Sequence, residues 1–567
     1  MKQKISKIVE EPSITFSRKY PSPKDQSNEN EITGEINQEE KEASKVKQYK
    51  LSRLIYPSLS IYEISFLTAA WIIFLGYEWY LVYLVSKTYY RKFLRDGYLE
   101  DGMFSKIIPY QADTSDYEWA VFSRNMMYTI PWILFHFVGS QILRKINQDS
   151  VPVFNVLLSA IHMGRVMGPM PTMWIFLQPL TMFITHLIGS STLVWLMAGV
   201  FLFPDKEWTG PFYHINKFLL KDSTHTEGYI IYVTWYWVIS RCISYCLDRI
   251  WKEVKPSEKG KLHDLIEMFA YCFYLPINMS GPIIIHKEFH EGFHQEYQPW
   301  SLKRFGKFLL QVLRYSFWFA ICHLVIHFFY QSSISHQMEI LKSLGFWTLA
   351  GVGFSVGGFF NLKYIVFYGF PRPFIVEDGI TKAPPHPKCI YRIHRYSEMW
   401  RFFDNGLYLF LRKYIYQPIA GEQGGALRKI VGATVTFGFV YVWHGVSNQV
   451  MIWSMLNYLS VMTEMVATSL GKCPQYVNIE KRFLGPRGRR RLHALLGAPL
   501  LIGSVLANFY FFMGSKVGHY FVYRACDSWS FEMPLVTVLA YIGSQFSIEV
   551  KNWELEREIK REKLKYD

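Results

Sequence analysis

An all-α polytopic membrane protein, with roughly ten spanning helices and re-entrant pieces between them, is the fold this sequence predicts. Three observations predict it. Hydrophobic residues make up 50% of the 567 positions and charged residues only 19%. Aromatic residues reach 18%, with 18 Trp, 38 Tyr and 44 Phe, as suits long interfacial belts. Apolar stretches recur near the length of about 20 residues that a span requires. The mean hydropathy of +0.05 hides this pattern, because the ends and loops carry most of the charge.

In chain order the candidate spans lie near Ile61–Val85, Trp119–Leu143, Thr172–Phe203, Tyr229–Ile250, Leu265–Ile285, Phe308–Tyr330 and Gly345–Tyr368. Leu407–Pro418, Ile430–Trp443, Gln449–Leu470, Pro499–Met513 and Pro534–Phe546 follow. Several are short or broken by Gly and Pro. Such backbone is tolerated at membrane depth only where protein or a wet cavity surrounds it.

The flanking regions differ in kind. Residues 1–50 are rich in Lys, Glu, Ser, Asn and Gln and lack the apolar core of a cleavable signal, so a disordered cytosolic tail is expected. Residues 56–550 form the membrane domain, and 551–567 a charged cytosolic tail. In that tail, Lys563 and Lys565 resemble a dilysine signal for return to the endoplasmic reticulum; a merely soluble charged end is the other reading. The net charge of +15 is clearest at Lys481, Arg482, Arg487, Arg489, Arg490 and Arg491. This cluster reads as a loop held in the cytosol by the positive-inside rule, with attraction for anionic lipid or for the phosphates of a nucleotide-bearing substrate as a second role. No groove-reading module accompanies it, so no nucleic-acid partner is expected.

The seven cysteines, 242, 246, 272, 322, 389, 473 and 526, show no metal-ligand spacing and no disulfide framework. Cys242 and Cys246 are a helical turn apart and read as packing residues. Cys389 follows the Pro-rich KAPPHPK, where a thiolate nucleophile, a lipid anchor, a haem ligand and an ordinary loop thiol are all open readings. The Gly-rich GVGFSVGGFF and GEQGGALRK lack the Gly-Lys-Ser/Thr ending of a phosphate loop; the first suits a tightly packed or broken span. There is no nucleophile elbow and no fixed repeat.

The most informative stretch runs from Met399 to His444 and places Asp404 and His444 in apolar runs. An ionisable group there must be paired or solvated by a cavity, and a carboxylate with an imidazole can form a general acid/base site. If WRFFD is helical, Trp400 and Asp404 share a face with Arg401 beside them, and an Asp404–Arg401 ion pair is the structural alternative. A packed interior histidine is the alternative for His444.

An intramembrane His-Gly preceded by about forty residues by W-R-x-x-D resembles the membrane-bound O-acyltransferase superfamily, as does CFYLPINMSGPIIIHKEF. More narrowly, HPKCIYRIHRYSEMWRFFDNGLYLFLRKYIYQPI with FVYVWHG is similar to its protein-acylating branch, the Hedgehog acyltransferases; lipid-acylating members typically carry Asn where this chain has Asp404. The likeness covers about residues 56–546, and the long N-terminal tail departs from the vertebrate pattern.

The resemblance implies a central tunnel, with Asp404 and His444 as the catalytic pair. Trp400 and Arg401 then lie near the thioester and the polar part of the coenzyme, Asn508 near the acyl-CoA, Trp443 among the substrate-binding residues, and Cys389 ligates haem b. It implies transfer of palmitate from palmitoyl-CoA to the α-amine of an N-terminal Cys on a secreted, Hedgehog-like or EGF-like signalling protein, in the endoplasmic reticulum membrane or the Golgi. CoA is cytosolic and the acceptor luminal, so the tunnel would open on both faces and hold a chain worth about 0.8 kcal/mol per buried CH₂. No Ser or Cys adjoins the pair, which favours direct transfer over an acyl-enzyme. Two other classes stand beside this one: acylation of a lipid hydroxyl, and a non-enzymatic transporter or scaffold using the pair as a proton relay.

Overall fold

The computed structural model describes residues 55–202, 225–527 and 532–563. The stretch 1–50 expected to be disordered and Lys565 of the C-terminal signal lie outside them. The helices that build the protein are α1 (Ile61–Arg95), α2 (Tyr117–Ile146), α3 (Ser150–Met167), α4 (Pro169–His186), α5 (Ser191–Leu202), α6 (His225–Ile250), α7 (Lys261–Cys272) and α8 (His286–Phe293). They continue as α9 (Leu302–Val325), α10 (Phe346–Gly369), α11 (Tyr396–Phe403), α12 (Asn405–Leu411), α13 (Ala426–Trp443), α14 (Asn448–Leu470), α15 (Pro486–Asp527) and α16 (Glu532–Lys563). Among the described residues, nine helices are long and apolar enough to cross a membrane. The all-α expectation holds but for one antiparallel pair, β1 (Leu99–Glu100) with β2 (Ala112–Asp113).

Three expectations need correction: the stretch 172–203, expected as one span, is two helices, α4 and α5, parted at residues 187–190. α3 is a span that the apolar count passed over, because Asn155, Ser159, His162 and Arg165 interrupt it. Those polar groups have tertiary roles: Asn155 donates to the Ala270 carbonyl (2.7 Å) and accepts from Leu275 N–H (3.3 Å), and His162 meets the Thr129 hydroxyl (3.2 Å). The stretch 265–285 is not one span. α7 ends at Cys272, and the chain then runs irregularly past Pro276 and Pro282 to α8. This backbone is satisfied by Arg241 of α6, a fully buried side chain that donates to the carbonyls of Cys272 (2.9 Å), Ser280 (3.1 Å), Asn278 (3.4 Å) and Ile277. Tyr271 adds a bond to the Ile284 carbonyl (2.6 Å). The protein thus replaces the water that irregular backbone would otherwise need.

The glycine-rich stretch of α10 is tightly packed and unbroken. A Cβ on Gly351 would stand 2.8 Å from the Glu78 carbonyl of α1, and one on Gly353 would stand 2.3 Å from the Phe509 ring of α15. α15 itself breaks at Gly514 (φ 80°).

Ends of helices fix which loops share a face. α1 has 35 residues, about 52 Å of helix, so its ends lie on opposite faces. Its start is gripped by the basic first turns of α15: Arg490 donates to the Pro57 carbonyl (2.9 Å), Arg487 to that of Ser58 (3.0 Å), and Arg491 pairs with Glu63 (2.6 Å). α2 returns to that face, where Arg144 donates to the Phe293 carbonyl at the end of α8 (2.7 Å).

All of this lies within the unit Pro57–Glu549; in the other unit Asn552 bonds both the N–H (2.9 Å) and the carbonyl (3.0 Å) of Tyr56. Residues 551–563 of the expected charged tail continue α16.

Because Arg241 satisfies four otherwise buried carbonyls, and each orphaned group costs about 1–3 kcal/mol, Arg241→Met should lower the melting temperature of the detergent-purified protein sharply. Scanning fluorimetry checks this, and unchanged melting would contradict the clamp.

Candidate active site

Asp404 is the junction between two short helices. It is not inside one, as the shared face with Trp400 had required: α11 stops at Phe403, and Asp404 (φ −118°, ψ 85°) caps α12, its Oδ1 accepting Leu407 N–H at 2.9 Å. An aspartate at a helix interior competes with the backbone for donors, whereas at the N-cap it satisfies one. Its Oδ2 accepts the Tyr368 hydroxyl of α10 at 2.8 Å. The Asp404–Arg401 ion pair does not form; Arg401 is exposed, with its guanidinium over the Phe402 ring. Gly406 lets the turn close, because a Cβ there would meet the Ile283 carbonyl at 2.3 Å.

His444 follows the last turn of α13 and is held by ring edges. Trp443, Trp453 and Phe511 stand 4.8, 5.2 and 5.2 Å from its centroid, each near perpendicular. Among the described residues no side chain hydrogen-bonds its ring. Gly445 turns the chain out of α13 at φ +87°, and a Cβ there would lie 2.8 Å from the Tyr232 hydroxyl.

Both residues line one cavity of about 320 Å³, within the range of about 300–1,000 Å³ that small-molecule sites occupy. Its walls are chiefly aromatic and aliphatic side chains of α1, α10, α15 and α16. Trp400, Trp443 and Asn508 line it as well. Trp443 is fixed by donating to the Ser240 hydroxyl (3.1 Å), and Asn508 by accepting from the Trp453 indole (3.0 Å). Arg401 is not among the lining residues; the arginines in the wall are Arg395, tethered to Glu464 (3.0 Å), and Arg524, bonded to the Tyr520 hydroxyl (3.1 Å).

Cys389 also stands outside the cavity wall, although Ile390 and Tyr391 beside it belong to it. Its loop is pinned by the bond from Lys388 N–H to the Phe402 carbonyl (3.1 Å) and from the Trp71 indole to the Tyr391 carbonyl (3.1 Å). Burial pushes the Cys389 thiol up, while the Tyr391 N–H and the Arg392 charge draw it down. A free thiol under the Arg392 charge fits the donor set of a thiolate-ligated iron.

The basic cluster is not a loop: Lys481 and Arg482 end the helix Pro474–Phe483 and Arg487–Arg491 start α15, and it is less available than its charge suggested. Arg490 is fully buried against Gln545 (2.8 Å) and Glu549 (3.0 Å), while the exposed Arg491 and Arg487 are engaged by Glu63 and the Ser58 carbonyl; Lys481 and Arg482 are exposed as well. Sequence reading missed Tyr368 and, one turn earlier, Tyr364, whose hydroxyl donates to Glu118 (2.9 Å). Beside them Lys363, almost wholly buried, pairs with Glu118 (2.7 Å) and Asp116 (2.8 Å). The signal was present: KYIVFY sets a lysine and two tyrosines in an otherwise apolar span, where each polar tip needs a partner.

Residues 221–506 match the model of MBOAT, the membrane-bound O-acyltransferase family. The chain is 36% identical over 298 residues to the protein-cysteine N-palmitoyltransferase Rasp of Drosophila melanogaster, covering 52% of this chain and 58% of that one. It is 28% identical over 470 residues to the protein-cysteine N-palmitoyltransferase HHAT of Mus musculus, covering 80% and 91% respectively. A mouse HHAT-like protein is 24% identical over 414 residues, 70% of this chain and 76% of its own.

Gly445→Ala should destabilise the protein by about 1–3 kcal/mol through its left-handed backbone and the Tyr232 contact. Gly438→Ala, in the same helix with open space around it, should be neutral or gain up to about 1 kcal/mol. Parallel thermal melts compare the two; equal melting would remove the constraint on His444.

Proposed function

The chain belongs to the membrane-bound O-acyltransferase family, and we propose that it transfers palmitate from palmitoyl-CoA to the α-amine of an N-terminal cysteine on a secreted signalling protein of the Hedgehog type. The observation that carries this reading is the pair Asp404 and His444 on one apolar-walled cavity. The likeness to two proteins named protein-cysteine N-palmitoyltransferases supports the amine acceptor.

The chemistry suits these groups. An α-amine, with an ordinary pKa of about 7.7–8.0, is protonated near neutrality and attacks only after losing a proton. The Asp404 carboxylate, oriented by Tyr368 and Leu407, attracts the ammonium. His444 presents an unengaged imidazole in the same cavity. Between them the two side chains hold the amine, take its proton and polarise the thioester carbonyl. The C–N bond forms as the C–S bond breaks, and the CoA thiolate, conjugate to a thiol of pKa about 8.5, leaves and takes up a proton.

The face bearing Arg487, Arg490, Arg491 and Arg144 is assigned to the cytosol by its positive charge. CoA then approaches from that face, near Lys481 and Arg482, and the acceptor from the lumen, in keeping with an endoplasmic reticulum location.

Cys389 is assigned as the thiolate ligand of a haem b, with Arg392 and Lys388 close enough in sequence to meet its carboxylates. The haem would supply a buried cation that keeps the thiolate ionised; no step of acyl transfer runs through it.

The decisive experiment incubates the detergent-purified protein with labelled palmitoyl-CoA and a peptide beginning in Cys, free or N-acetylated. Only the free amine should be labelled, and Asp404→Asn or His444→Ala should each lower turnover by about 10²–10⁴-fold without loss of fold. Equal labelling of both peptides would refute the amine acceptor; full turnover in both variants would refute the pair.

For Cys389, the wild-type protein should show a Soret band that Cys389→Ala abolishes, together with a lower melting temperature. A fully active preparation without that band would overturn the assignment.

A further inference from the structure

On the face where α2 ends, away from the cavity, four side chains with metal-ligating atoms converge. Glu267, in the second turn of α7, is nearly buried, and its Oε1 faces His294 Nε2 at 2.8 Å and His263 Nδ1 at 3.6 Å. Its Oε2 faces His290 Nδ1 at 3.8 Å. Ligand atoms of Glu267, His290 and His294 all lie within 4.8 Å of one another. Donors about 2.1 Å from a tetrahedral ion lie about 3.4 Å apart, so these gaps bracket the span that one small cation closes with side-chain rotation alone.

The arrangement has the supporting bonds of a ligand set. His290 and His294 are four residues apart at the end of α8, which puts both rings on one side, their centroids 4.3 Å apart. The His294 Nδ1–H donates to the His290 carbonyl at 3.0 Å, which directs Nε2 toward Glu267. Fixing one ring nitrogen so that the other can bind is how metal-ligating histidines are oriented. The His263 Nδ1 is buried and has no hydrogen-bond partner, although it points at the same carboxylate.

One cation already stands nearby, Arg249, 3.6 Å from Glu267 Oε2. It is bound to the Asp264 carboxylate, the Tyr245 hydroxyl (3.2 Å) and the Lys255 carbonyl, so Asp264 balances its charge and Glu267 retains its own for a second cation.

We propose that Glu267, His290 and His294 bind one zinc ion, and that His263, 3.6 Å from the Glu267 carboxylate, turns in as a fourth ligand. Imidazole nitrogens with a single carboxylate oxygen are a borderline donor set that suits Zn²⁺ over Mg²⁺ or Ca²⁺, which prefer all-oxygen shells. The side chains of His290 and His294 are 29% and 39% exposed, so an ion reaches them from water. Bound there, zinc joins α7 to α8 across the irregular segment 273–285, and Ile283 of that segment backs Gly406 beside Asp404. The site is structural, and it holds whether or not the acyl-transfer reading does.

The test uses the full-length protein in detergent, stripped with a chelator and dialysed against micromolar ZnCl₂. Wild type should retain one zinc per chain by plasma mass spectrometry and melt at a higher temperature than the stripped form. Glu267→Gln and the double variant His290→Ala/His294→Ala should lose both the metal and the zinc-dependent shift. Should the double variant fail to fold, His294→Gln alone answers the same question through metal content. A folded wild type that takes up no zinc, or variants that keep it equally, would leave an ordinary His–Glu ion pair and overturn the proposal.

Discussion

A carboxylate set among spanning helices must be given donors, and the two that Asp404 receives determine the shape of its neighbourhood. One is the Leu407 N–H, which exists as a free donor only because α11 stops and α12 starts at residue 404. The other is the Tyr368 hydroxyl, which ties the junction to α10. The turn can sit there because Gly406 has no side chain to strike the Ile283 carbonyl. A helix break, a tyrosine and a glycine thus follow from one buried charge.

The backbone under that junction obeys the same constraint in reverse. Where the segment after Cys272 leaves helical geometry, acceptors are what the membrane interior leaves unanswered, and Arg241 supplies the donors from the middle of α6. Donor-rich side chain serves irregular backbone in one place, and irregular backbone serves an acceptor side chain in the other. The two arrangements meet at Ile283 and Gly406, so the shape of the cavity beside Asp404 depends on both.

Much of this was legible in the residues. Long apolar runs such as Trp119–Leu143 and Tyr229–Ile250 lie within α2 and α6, because their length alone decides the matter. Asp404 and His444 stood out as ionisable groups in apolar surroundings, and they line one cavity. What escaped was set by tertiary partners. α3 looked too polar because Asn155 and His162 are satisfied by residues far away in sequence. Arg401, adjacent to Trp400, is a step of about 100° further round α11 and stands exposed over the Phe402 ring, while Trp400 lines the cavity. The basic cluster read as a cytosolic loop open to phosphates, yet Arg490 lies in α15 and is occupied by residues 55 and 433 positions away.

That last contact bears on how the protein is made. Synthesis proceeds at about 5–20 residues per second. The carbonyl of Pro57 therefore waits roughly 20–90 s for the Arg490 guanidinium, 433 residues behind it. Throughout that interval α1 stands in the bilayer without its anchor, and Glu63 without Arg491. The first of the described helices is thus among the last to be locked, which makes its early retention a task for lipid and translocon, and makes truncation before residue 490 a loss at the opposite end of the chain.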